Sequence, residues 1–258
     1  MTFSKLTKTN NNYEVNSKVP FSSRTNAECD IQDLEQAFLF SWNMTFGATG
    51  EHRSYRSGGQ LVRNNLQKFC DVFIGKLGEV AFFNISKKRP MVTNITEIDY
   101  ECYGLGKWDS SDFIINYQYH IAVKTTKHFG NLLLLEEKDW VVRDGKAIYL
   151  PNQNSESKGV YDFLFFSRVK TDIHDLVKEI NFSQEIDINN LKTIFFTKIL
   201  KAVSVTLEVV GYVSNDSLVK MIEEGYILPQ NSTLNGKTRM DASNYYLQSG
   251  FFKQMSIG

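Results

Sequence analysis

The 258-residue chain has little of several things, and each shortage removes a class of protein. It has three cysteines, Cys29, Cys70 and Cys102, widely spaced and without a Cys-x-x-Cys pair, so neither a disulfide framework nor a zinc site is indicated. With 4 prolines and 16 glycines among 258 residues, collagen-like and low-complexity architectures are disfavoured. No apolar run approaches the roughly 18–20 residues that span a bilayer, the longest being stretches such as 132–135 and 163–166. Met1 to Asn12 is polar and lacks the apolar centre of a secretory signal, so the expected compartment is the cytoplasm. Excess charge is missing too, with 29 basic against 29 acidic residues. A polyanionic partner would have to be met by a local surface rather than by the field of the whole molecule.

What is present is an ordinary globular composition, 42% hydrophobic and 22% charged. Residues 1–26 are polar and without periodicity, which predicts a loose arm. Ile31, Leu34, Phe38 and Trp42 recur at helical spacing, and the acidic start at Glu28, Asp30 and Asp33 suits the positive end of a helix dipole. After a Gly/Ser-rich loop carrying Arg53 and Arg56, the positions Leu66, Phe69, Val72, Phe73, Leu77 and Val80 predict a long helix over about 60–84. The period then shortens. Segments 97–102, 112–116, 120–126, 131–136 and 161–169 read as strands, and Asp144-Gly145 between Val141-Val142 and Ile148-Tyr149 is a hairpin signal. Further on, 172–180 and 217–224 read as helices and 203–213 as a strand, with Gly225 as a C-terminal cap. The pattern predicts an α/β (α+β) fold: a central mixed β-sheet flanked by helices over 27–170, then a C-terminal α+β part over 171–258.

The chemistry concentrates in Ser111-Asp112-Phe113-Ile114-Ile115-Asn116 and His120-Ile121-Ala122-Val123-Lys124-Thr125-Thr126. Two strands joined by a tight turn at 116–118 would set Asp112 at the start of one beside Lys124 near the end of its antiparallel partner. A carboxylate can hold a hard divalent cation through oxygen, and a neighbouring lysine can position the water that attacks a phosphodiester.

These residues, with Gly75-Lys76-Leu77-Gly78-Glu79 on the preceding helix, resemble the PD-(D/E)XK nuclease superfamily in its type II restriction endonuclease-like branch. The resemblance covers about 75–136. It implies a restriction-endonuclease-like core with a C-terminal extension, acting as a metal-dependent DNA endonuclease with Mg2+ as cofactor, double-stranded DNA as substrate and 5′-phosphate ends as products. Asp112 and Glu79 would hold the metal together with the backbone carbonyl of Val123, and Lys124 would act on the water. Such systems admit a homodimer and a cognate DNA methyltransferase. One residue departs from the pattern, because Ala122 stands where the family carries Asp or Glu two residues before the lysine. Either Glu79 supplies the second carboxylate, or the chain is a DNA-binding module that keeps the fold without catalysis; a third reading takes the motif as accidental in a partner-binding α/β protein.

For DNA contact, Arg53, Arg56 and Arg63 around the Gly/Ser loop carry donors suited to phosphate, as does Lys127 at the end of the lysine strand. Lys237, Arg239 and Asn244 form a second expected surface in the C-terminal part, Arg and Asn being the side chains that read guanine and adenine edges. Each of these also fits a solvated loop.

Overall fold

The computed structural model describes residues 3–19, 25–47, 63–101, 111–153, 158–178, 187–201 and 205–254. Both long helices form where the spacing of their apolar residues places them. Ile31–Phe46 starts at Asp30, whose Oδ1 accepts from the Asp33 N–H at 2.8 Å, and it buries Leu34, Ala37, Phe38 and Trp42 on one side. Asn65–Ser86 opens on a reciprocal capping box in which Asn64 and Gln67 each accept from the other's backbone N–H. The two helices lock through aromatic rings, Phe38 lying 5.3 Å from Phe69, itself 5.6 Å from Phe195 of the helix Ile188–Lys201.

The central sheet has five strands in the order Thr25–Ala27, Leu207–Ser214, Phe163–Val169, Tyr119–Lys127, Phe113–Ile115. Phe163–Val169 runs parallel to Tyr119–Lys127 and the other neighbours are antiparallel, so the sheet is mixed as expected. Alternation along its strands divides two apolar cores. Ile121, Val123 and Phe165 face the Asn65–Ser86 side, while Ala122, Leu164 and Phe166 face the side carrying the short helix Asn215–Glu223 and the strand Asn244–Gln248. Phe82 marks the first core: it is fully buried, 4.5 Å from Phe165 and 5.1 Å from Phe113, a burial worth about 1.5–3 kcal/mol. Among the described residues no helix is long and apolar enough to cross a membrane.

The structure differs from the sequence reading at four points. The N-terminal arm is not loose: Thr7–Thr9 and Asn12–Glu14 form a hairpin that pairs onto Thr233–Leu234, and Phe3, Leu6 and Tyr13 are buried. Its anchors lie more than 200 residues away, so no local period announces them. The stretch 97–101 is irregular rather than a strand, with Ile95 alone bridging to Ile115. Ile188–Lys201, for which the sequence reading offers no element, buries Leu191, Phe195 and Ile199 at four-residue spacing. Finally, Leu207–Ser214 pairs along the length of Phe163–Val169, so a boundary at residue 170 would cut through the sheet.

Candidate active site

The site begins at a hairpin. Phe113–Ile115 and Tyr119–Lys127 pair with Phe113 opposite Ile121, and the three-residue turn 116–118 between them places Asn116 at φ 53° and Tyr117 at φ 60°, both left-handed, with the Gln118 N–H donating to the Ile115 carbonyl at 3.1 Å. Asp112 stands one residue before the short strand. Its N–H donates to the Ile121 carbonyl at 3.0 Å, and its Oδ2 accepts from the Val123 N–H at 2.6 Å. The carboxylate thus replaces the next rung of the ladder. A strand residue sends its N–H and C=O to the same edge, so the Val123 carbonyl opens beside Asp112. Lys124 follows, with its ammonium 5.3 Å from the centre of the Tyr149 ring.

Glu79 arrives from the helix, and the glycine before it explains how. A Cβ on Gly78 would overlap the Thr125 side chain, so only glycine lets the helix lie this close to the lysine strand. The approach is fastened by Ser167, whose hydroxyl donates to the Gly78 carbonyl at 3.3 Å, and by the Thr125 hydroxyl, which donates to the Gly75 carbonyl at 3.4 Å. Glu79 is 19% exposed, and the Lys76 ammonium one turn back donates to its Oε2 at 2.6 Å.

Glu79, Asp112 and Lys124 line one cleft of about 250 Å3, together with Lys76, Asp99 and Glu101. Burial pushes the Glu79 carboxyl up to about 7; Lys76 pulls it back, and the Asp112 charge adds to the rise. A carboxylate whose ionisation burial and a neighbouring acid oppose is a donor that a cation relieves. Among the described residues no three His, Cys, Asp or Glu side chains gather into a closed metal cage. Two carboxylates and a carbonyl nevertheless fit magnesium, which keeps several waters and takes only one or two carboxylates from a protein. Glu79, Asp112 and the Val123 carbonyl would hold it.

Ala122, where the resemblance calls for a carboxylate, is 1% exposed, faces the second apolar core and pairs with Leu164. A carboxylate there would enter an apolar cluster, whereas Glu79 lines the cleft with Asp112 from the helix side.

Among the described residues, those expected to touch DNA do not line this cleft. Arg63 is ion-paired to Asp71 at 3.0 Å, which ties it to the helix Asn65–Ser86 that follows it. Lys127 ends its strand half-buried. Lys237 and Arg239 are exposed on the small Thr233–Leu234/Thr238–Arg239 hairpin, where the Arg239 Nη2 donates to the Asn231 Oδ1 at 2.8 Å. Asn244 is a correction: it is 8% exposed, its amide donates to the Ala242 carbonyl, and its strand is paired on both sides, which leaves no free edge for a base. Arg53 and Arg56 lie outside the described residues. Sequence reasoning missed Lys76 and Tyr149. Lys76 sits three residues before Glu79, a spacing that places two helical side chains together, whereas nothing local marks Tyr149. No family model, curated protein or solved structure matched this chain.

Proposed function

We propose that the chain is a magnesium-dependent DNA endonuclease on a PD-(D/E)XK core, cleaving double-stranded DNA in the manner of a type II restriction enzyme in the cytoplasm. The observation that carries this reading is the convergence of Glu79, Asp112 and Lys124, from a helix and the two strands of one hairpin, on a single cleft. Magnesium, when bound there, supplies charge stabilisation for the phosphoryl oxygens. Asp112 is held for its part by the Val123 N–H, which fixes one oxygen and leaves the other to bind. Glu79 is fixed in the same way by Lys76. Lys124 positions the attacking water by hydrogen bonding and stabilises negative charge as the water oxygen bonds to phosphorus, its proton passing to solvent, and the bond to the 3′ oxygen breaks, that oxygen taking a proton from solvent. The phosphate stays on the 5′ side. Balanced global charge fits a sequence-specific enzyme, whose basic surface need line only the DNA cleft.

One observation favours a second reading. Ala122 removes a carboxylate that the resemblance expects, and a DNA-binding module without catalysis would retain the same hairpin and cleft. Incubating the purified chain with plasmid and genomic DNA separates the two. The nuclease reading expects discrete fragments with 5′-phosphate ends in magnesium and none with a chelator. DNA left intact in both magnesium and manganese would overturn it, and salt-sensitive binding without cleavage would establish the module instead.

A further inference from the structure

Lys76 is an unusual neighbour for a metal ligand. It is 7% exposed, and its ammonium is held from three directions: Glu79 Oε2 at 2.6 Å, the Asp99 carbonyl at 2.6 Å, and the face of the Phe40 ring 4.3 Å from its centre, with the Tyr100 ring at 5.5 Å. A lysine merely solvating the rim would keep its head in water and only its stem against apolar surface. Here the head itself is enclosed. The charge count of the cleft gives the reason a cation is wanted there: four carboxylates (Glu79, Asp99, Glu101, Asp112) face two lysines (Lys76, Lys124). Acidic groups outnumber ammoniums, and a bound cation brings the missing positive charge.

We infer that the Lys76 ammonium is a resident cation that fills the position beside Glu79 a second divalent ion would take, so that the cleft accepts one divalent ion and not two. The inference rests on the metal-dependent reading and specifies its stoichiometry. Asp112 and the Val123 carbonyl then form the open side of the site, while Glu79 is shared: Oε2 belongs to the lysine and Oε1 faces the incoming ion. Because Lys76 and a divalent ion beside the same carboxylate repel each other, the lysine also weakens ion binding, and its removal strengthens it.

The test is calorimetric titration of the metal-free chain with Mn2+, alongside Lys76→Met, which keeps the stem between the rings and removes the charge, and Lys76→Arg, which keeps it. The wild-type chain should bind one Mn2+; Lys76→Met should bind its first Mn2+ at least about tenfold more tightly, and Lys76→Arg should resemble wild type. Two ions per wild-type chain, or unchanged or weaker binding in Lys76→Met, would overturn the inference. If Lys76→Met fails to fold by far-UV circular dichroism, the wild-type count alone decides. Cleavage of plasmid DNA by the same preparation separates the failures: cleavage with two bound ions overturns this inference and keeps the nuclease, whereas neither binding nor cleavage overturns both.

Discussion

Two glycines in one helix turn, Gly75 and Gly78, should respond to alanine in opposite directions. On helix propensity alone either substitution stabilises, by up to about 1 kcal/mol. Gly75 has open space where a Cβ would go, so Gly75→Ala should follow propensity and gain about 0.5–1 kcal/mol. At Gly78 a Cβ would overlap the Thr125 hydroxyl and lie 2.7 Å from its Cγ2 and 2.8 Å from its Cβ. Rotating the Thr125 side chain cannot relieve the last of these contacts, because Cβ does not move with χ1. The helix must shift from the strand, an overpacking that costs about 1–3 kcal/mol and outweighs the propensity gain. Urea unfolding monitored by circular dichroism measures both variants, and Thr125→Ala should recover part of the loss in Gly78→Ala without matching wild type. A Gly78→Ala chain as stable as Gly75→Ala would mean that the helix does not lie against Lys124's strand, and with it would go the placement of Glu79.

Other expectations follow from single contacts. Phe82→Ala should cost about 3–5 kcal/mol in denaturant unfolding, since the ring is fully buried between Phe113 and Phe165; a loss under 1 kcal/mol would show that the first core is not built around it. Asp30→Ala should cost about 1 kcal/mol through the lost cap on Asp33, with Asp30→Asn nearly neutral, and equal losses in both would exclude capping as the cause. Burial raises the Glu79 carboxyl from its ordinary 4.5 to about 7 in the folded chain. Between those values the folded state therefore holds a proton that the unfolded state has released. The stability this group contributes is full below about pH 4.5 and is lost as pH rises through 7, a decline on the order of 3 kcal/mol. Stability curves measured without metal from pH 4 to 8 should be flatter in that window for Glu79→Gln, and an identical slope would refute the assignment.

The parts of the fold legible in the sequence are those whose stabilising contacts are local. Asp30 and Asn64 cap helices whose apolar residues lie three and four apart, and Asp144-Gly145 closes its hairpin with both residues left-handed. Asp112 and Lys124 were legible because they sit on one hairpin, and Glu79 through the resemblance carried by Gly75-Lys76-Leu77-Gly78-Glu79. What stayed hidden depends on distant partners. The Thr7–Thr9/Asn12–Glu14 hairpin is polar and is held by Thr233–Leu234. Asn244–Gln248 is buried at all five positions, so it shows no alternation, and its polar ends look like a tail until Leu132–Glu136 is placed beside it. Asn244 thus has the look of a base-contacting side chain in the sequence, whereas its amide donates to the Ala242 carbonyl at 2.9 Å. Lys76 escaped for a different reason: its role comes from Phe40 and the Asp99 carbonyl, on elements that sequence spacing does not relate to it.

The central claim is that Glu79, Asp112 and Lys124 act together on a phosphodiester. Single-turnover cleavage of a DNA fragment in magnesium, with binding to the same fragment measured in calcium, tests it most directly across wild type, Glu79→Gln, Asp112→Asn and Lys124→Met. Each substitution should lower the cleavage rate at least about 100-fold, the scale of losing a group that acts mainly in the transition state, while the dissociation constant changes by less than about fivefold. Wild-type rates in Lys124→Met or Asp112→Asn, in chains that fold and bind DNA normally, would contradict the account.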